Sequence, residues 1–234
     1  MNVTPTTTAS RCTIVWRARL AVLLLALSCT VKAADSNITI EDLTQRAENG
    51  DRRAMHALAE SYYTGRNGTT QDFSRAADWY LRLAKSGDAR AQTILGLMYA
   101  RGYGVTRNPA EAHRWWNFAA IQNDPGAQFN LGLSHATGQG TARDYERAAR
   151  WYREAADRGH IHAQHNLGML YHEGKGVPKS PQLAYYWVRV AAMQGDAVAA
   201  ETLAGLRDGM SPAQIAEAES QAAAWKNKPL KATP

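Results

Sequence analysis

Histidine is the side chain whose spacing first suggests chemistry in this chain of 234 residues. Four of the seven histidines fall in one short stretch, at His160, His162, His165 and His172. On a helix, His162 and His165 lie one turn apart and His172 two turns further, so these three share a face. Imidazole suits zinc, copper and nickel. Only Glu173 stands nearby, however, and no thiolate or second carboxylate completes a ligand set. The cluster therefore reads as a polar binding surface, with no metal and no cofactor. His172-Glu173 opens like a zinc-protease motif, but Gly176 occupies the place of the second histidine. Gly102-Tyr103-Gly104, Gly138-Gln139-Gly140 and Gly174-Lys175-Gly176 lack the third glycine and the Lys-Ser/Thr of phosphate loops. No Gly-x-Ser-x-Gly elbow occurs, and no serine precedes a lysine by three places. Without a catalytic constellation, the chain reads as non-enzymatic.

The two ends set the compartment and the charge. Arg11, Arg17 and Arg19 precede the apolar run Leu20 to Leu27, and Val31-Lys32-Ala33 supplies small residues at the two positions a signal peptidase reads. This is the pattern of a secretory signal spanning residues 1–33, cleaved near Ala33. It predicts a periplasmic or secreted protein with no transmembrane span in the mature chain, since the run is too short to cross a bilayer. An alternative makes Cys29 a lipidation site, from a loose lipobox at Ala26-Leu27-Ser28-Cys29. Cleavage removes four basic residues and no acidic ones. Taking four from 27 leaves 23 basic against 21 acidic residues, a net charge of +2. That balance removes the main support for nucleic-acid binding, which needs a basic face. Both cysteines, Cys12 and Cys29, also belong to this segment.

An internal repeat organises the rest. Ala91-Gln92, Ala127-Gln128 and Ala163-Gln164 recur every 36 residues, as do Leu95-Gly96, Leu131-Gly132 and Leu167-Gly168. Ala112, Ala148 and Ala184 keep the step, and so do Trp115, Trp151 and Trp187. An earlier copy, with one extra loop residue, holds Ala54, Leu58, Tyr62, Gly65, Ala76 and Trp79. A degraded copy begins at Ala197. Each unit reads as two helices. The first carries apolar residues at four-residue steps and stops at a Gly-x-Gly turn. The second starts at a cap: Asp72, Asn108, Asp144 or Ser180. Asn108-Pro109-Ala110-Glu111 and Ser211-Pro212-Ala213-Gln214 have the pattern of capping boxes. Gly96 and Ala112 let the paired helices approach, and the repeat tryptophans are expected to fill the space between units.

These residues resemble the Sel1-like repeat family, which is related to tetratricopeptide repeats. The resemblance covers residues 38–226. It implies an all-α fold, an α-solenoid of stacked antiparallel helix pairs. The expected units are a leading half-repeat at 38–51, then 52–88, 89–124, 125–160, 161–196 and a capping unit at 197–226. The repeat domain occupies 34–226 and a disordered tail 227–234. His135 in place of tyrosine, Asn67-Gly68 in the first loop and the missing last loop depart from the family pattern.

In such solenoids the first helix of each pair lines the concave face. The resemblance thus places a partner-binding surface at Arg53, His56, Glu60 and Tyr63; at Arg90, Thr93, Leu97 and Arg101; at Phe129, Leu133 and Thr137; and at His162, His165, Met169, His172 and Glu173. Phe129, Leu133 and Met169 would form an apolar centre rimmed by Arg and His, the anatomy of a protein interface. The implied function is to hold one protein partner. Its sharpest form is immunity against a secreted toxic enzyme, a phospholipase-type effector of type VI secretion. An adaptor or assembly factor for an envelope machine is the alternative. A cell-wall-acting or β-lactam-binding enzyme is disfavoured, because no catalytic set or paired cysteines remain in the mature chain.

Overall fold

The computed structural model describes residues 39–225. The signal segment, Cys29 and the tail after 226 lie outside them. Among the described residues there are eleven α-helices and no strand. A leading helix α1 (Ile40–Glu48) precedes the pairs α2 (Arg52–Thr64) with α3 (Phe73–Lys85), α4 (Ala89–Arg101) with α5 (Pro109–Ala120), α6 (Pro125–Thr137) with α7 (Tyr145–Asp157) and α8 (Ile161–Glu173) with α9 (Pro181–Met193). A last pair, α10 (Ala197–Leu206) and α11 (Pro212–Trp225), ends the stack. The helices α1 to α10 pack mainly on their neighbours in sequence, as a solenoid of helix pairs requires, whereas α11 packs on α9.

Local sequence fixes the helix ends. The first helices begin at Asp51, Asp88, Asp124, His160 and Asp196, each accepting from a backbone N–H of the first turn. They stop at Gly65, Gly102, Gly138 and Gly174, all in the left-handed conformation that ends helices at glycine. The second helices begin at Asp72, Asn108, Asp144 and Ser180, as the sequence indicates. Ser211 and Gln214 form a reciprocal capping box. Asn108 does not: it accepts from Glu111 N, but the Glu111 carboxylate turns outward to Arg114.

Within the pairs α4–α5, α6–α7 and α8–α9, the helices meet at a glycine. A Cβ on Gly96 would overlap the Trp116 indole, one on Gly132 the Tyr152 ring, and one on Gly168 the Val188 side chain. Trp116 also donates its Nε1–H to the carbonyl of Thr93 at 3.2 Å. The expectation that the repeat tryptophans fill the space between units holds fully for only two of the four. Trp79 and Trp187 are buried, but Trp115 and Trp151 are only half-buried. The position after the repeat tryptophan (Tyr80, Trp116, Tyr152, Val188) is the one buried throughout, because it faces its own first helix. The tryptophans themselves face the seam between successive second helices. Trp116→Ala should therefore cost about 3–5 kcal/mol, and Trp151→Ala less than about 2 kcal/mol. Urea midpoints of the two variants test the ranking, and equal losses would contradict it.

Three histidines are held neutral by the fold. Burial lowers the pKa of His113, helped by His135 and Arg147. Burial and Arg147 lower that of His135 against the opposing pull of Asp144. Burial and then His162 lower that of His160, whose Nδ1 must accept from the Ala163 N–H to cap α8. All three folded pKa values lie below the ordinary 6.5, so the unfolded chain takes up protons first as pH falls. Their contribution is complete above pH 6.5 and declines as pH drops below it. The unfolding temperature should fall between pH 7.5 and 5.5, and His160→Asp, restoring the cap of the other units, should lessen the fall. A flat or rising profile in thermal melts would exclude this account.

Candidate binding face on the first helices

The expected surface residues sort into rows, one position per repeat, along α2, α4, α6 and α8. The row of His56, Thr93, Phe129 and His165 has a structural task that the sequence did not disclose. Each residue reaches the N-cap of the next unit's first helix. His56 Nε2 lies 2.9 Å from Asp88 Oδ2, and Thr93 Oγ1 donates to Asp124 Oδ1 at 2.9 Å. His165 Nδ1 stands 3.6 Å from Asp196 Oδ2, with His162 Nδ1 at 3.7 Å. In the third unit both partners change together: Phe129 stacks on His160 with centroids 4.5 Å apart and an 18° tilt.

The cap carboxylates record these contacts. Burial pushes the Asp88 carboxyl up, but the Ala91 N–H, His56 and Arg52 outweigh it and hold it below the usual value. Asp196 follows the same balance, with the Ala199 N–H, His165 and His162 opposing burial. Its side chain is 6% exposed. These N-caps were missed as partners of the surface, although their 36-residue recurrence was the available signal.

The next row is Glu60, Leu97, Leu133 and Met169. Leu133 is 41% exposed and Leu97 and Met169 are half-buried. None of these three packs against the buried clusters of the core. Arg53, Arg90 and His162 form an exposed row on one side. Arg101, Thr137 and Glu173 form another at the helix ends, where Thr137 donates to the Leu133 carbonyl and Glu173 pairs with Lys175 at 2.8 Å. His172 is exposed. Tyr63 is not free in this way: it packs edge-on against Phe73 and Tyr80 at 5.2 and 6.3 Å. Burial pushes the Tyr80 hydroxyl up to about 12, with Glu60 adding and Arg90 opposing. Met169 and Leu133 thus share one line with basic groups on both flanks, while Arg53, Glu60 and Tyr63 belong to the far end of the stack.

The histidine stretch divides. His160 and His162 gather round Phe129, and His165 turns to Asp196, so His172 is left apart. Among the described residues, no group of three His, Cys, Asp or Glu is arranged to hold a metal ion. Nor is any helix among them long and apolar enough to cross a membrane.

This geometry has known counterparts. The chain is 41% identical over 64 residues to the secretory immunoglobulin A-binding protein EsiB of Escherichia coli, covering 27% of this chain and 13% of that protein. It spans only 9 to 13% of the length of the relatives it matches by sequence. The Sel1 repeat protein of Oxalobacter formigenes superposes with a TM-score of 0.67 at 28% identity, over 86% of this chain and 85% of that one. The protective antigen c5321 of uropathogenic Escherichia coli, which displays an SLR fold, gives a TM-score of 0.61 at 28% identity, over 82% and 50%. The Sel1 repeat itself matches four times in tandem, at residues 52–88, 89–124, 125–160 and 161–196. With its helix pairs, glycine contacts and repeat matches in agreement, this chain belongs to the Sel1 repeat family.

Proposed function

We propose that this protein is a non-enzymatic binding module that holds one protein partner on its first-helix face. The carrying observation is the line Leu97, Leu133 and Met169. These side chains take no part in the buried clusters, yet they are apolar at a position where a solvated helix face needs only polar residues. Arg90, Arg101, His162 and His172 rim the line, giving an apolar centre with a polar border. Support also comes from EsiB, whose name records a protein ligand. The sharpest form of the proposal places the mature chain in the periplasm as an immunity protein. There it would sequester a phospholipase-type effector delivered by type VI secretion.

The test uses chain starting at residue 34, titrated calorimetrically with purified type VI phospholipase effectors. A tight complex that suppresses lipase activity is expected. Leu133→Ala with Met169→Ala should weaken it by more than about 2 kcal/mol, leaving the unfolding midpoint nearly unchanged. These are cleaner probes than Phe129, whose loss would also free the His160 cap. Unchanged affinity of the double variant would remove the interface from this face. Full lipase activity beside the protein, with every effector tried, would defeat the immunity role.

A further inference from the structure

The seam between α5 and α7 holds a cleft of about 690 Å³, within the range of small-ligand sites. Its floor is α6, on the side turned away from the binding face: His135 lies about 200° around the helix from Leu133. Two floor atoms are buried without a hydrogen-bond partner, Gln128 Oε1 and His135 Nδ1. The residues that carry them are only 2% and 5% exposed, and both line the cleft.

His135 donates its other ring N–H to the Ala142 backbone, which leaves Nδ1 as a lone pair. Comparison of the units explains why these acceptors are open. Gln92 Oε1 accepts from Gln122, and Gln164 Oε1 from Gln194. The residue in that place for Gln128 is Arg158, which is drawn instead to Glu154 and Asn123. Tyr99 and Tyr171 hold the position of His135 in the adjoining units. The Tyr171 hydroxyl accepts from Arg153; one repeat earlier that position is Asn117, which lines the cleft. Opposite His135, where neighbouring units have Ala77 and Ala149, stands His113, with ring centroids 5.1 Å apart. Ser134 gives its hydroxyl proton to the Gln139 carbonyl, so it accepts from His113 Nδ1–H at 2.9 Å. That assignment leaves His113 Nε2 as another lone pair.

The third unit therefore replaces a phenol with a smaller ring and surrounds the space with acceptors. Buried acceptors without donors are costly, and a bound donor relieves them. Trp151 supplies a half-buried aromatic wall. Arg150 and Arg147 bring positive charge to the lining, Arg147 while also paired with Asp144 at 3.2 Å, and the one lining carboxylate, Glu154, is paired with Arg158 at 2.7 Å. We propose that this cleft binds a phenolic ring next to a carboxylate, as in an acid-flanked tyrosine, in the space filled by Tyr99 and Tyr171 in the adjoining units. The site is separate from the first-helix face, and neither reading depends on the other.

N-acetyl-L-tyrosine, N-acetyl-L-tyrosinamide and N-acetyl-L-phenylalanine are the probes, titrated into the chain from residue 34 by calorimetry. The tyrosine is expected to bind. The phenylalanine should bind at least about tenfold more weakly, since a site built for a hydroxyl rejects the analogue lacking it. The amide should bind more weakly than the acid, because it lacks the charge that Arg147 and Arg150 face. His135→Tyr should fill the cleft and abolish binding while keeping the helical spectrum. Gln128→Met provides a second variant, should His135→Tyr not fold, and should weaken tyrosine binding about tenfold by removing one acceptor. The tripeptide acetyl-Glu-Tyr-Glu-amide identifies the source: tighter binding than N-acetyl-L-tyrosine assigns the site to a protein segment, weaker binding to a small molecule. No heat with any probe up to about 10 mM, equal binding of tyrosine and phenylalanine, or unchanged binding by a folded His135→Tyr would each overturn the proposal.

Discussion

Gly104, Gly140 and Gly176 seat each repeat on the one before it by having no side chain. Each has positive φ, and a Cβ on it would run into the backbone carbonyl of Phe73, Pro109 or Tyr145, the first residue of the preceding second helix. Two demands meet at one atom: a left-handed backbone and direct backbone contact. Only glycine satisfies both at no steric cost. Because the contact is with backbone rather than a side chain, its geometry repeats even though Phe, Pro and Tyr differ. The regular stacking of α2 to α9 follows from it. After α10 this Gly-x-Gly turn is missing, and α11 closes the stack by packing on α9.

A second link between units runs through the helix caps. One Asp carboxylate caps its own helix and also meets a side chain of the previous unit, as Asp88 does with Ala91 N–H and His56. Cap formation and unit stacking therefore become one event. The third unit reaches the same end by aromatic stacking, with Phe129 on His160. It is also the unit in which His135 replaces the usual tyrosine, opposite His113 of the second unit, and in which Arg158 replaces the usual glutamine. Both of its seams are thus exceptional. The repeat frame survives because its glycines and alanines are kept while the variable positions change around them.

The rows on the first helices show how such a frame separates stability from recognition. One row is consumed by the caps, whereas the row beside it is left outside the core. The two rows stand four residues apart, about 40° around the helix and about 6 Å along it, enough to shift a side chain from the inter-unit joint to open solvent. Leu133 and Met169 lie on the open side of that boundary and Phe129 on the joint.

Much of this was legible in the sequence. The 36-residue step, the helix pairs, the glycine stops and the Asp, Asn and Ser caps all follow from local rules: period, left-handed glycine and side-chain capping. So did the close approach at Gly96, because a small residue recurring on an apolar face has few other uses. The surface was legible only as a set of positions. Sequence spacing cannot say that His56 meets Asp88 or that Phe129 leans on His160, since those contacts join residues about thirty positions apart across a seam. It marked Trp115 and Trp151 as core because they recur, whereas burial depends on how tightly the second helices close around them. It noted His135 as an irregularity, but an unpartnered nitrogen in a cleft exists only once α5, α6 and α7 are packed. Local propensity and periodicity determined the elements and their order. Packing across the seams decided which recurring side chains became joints, which remained surface and where a cavity opened.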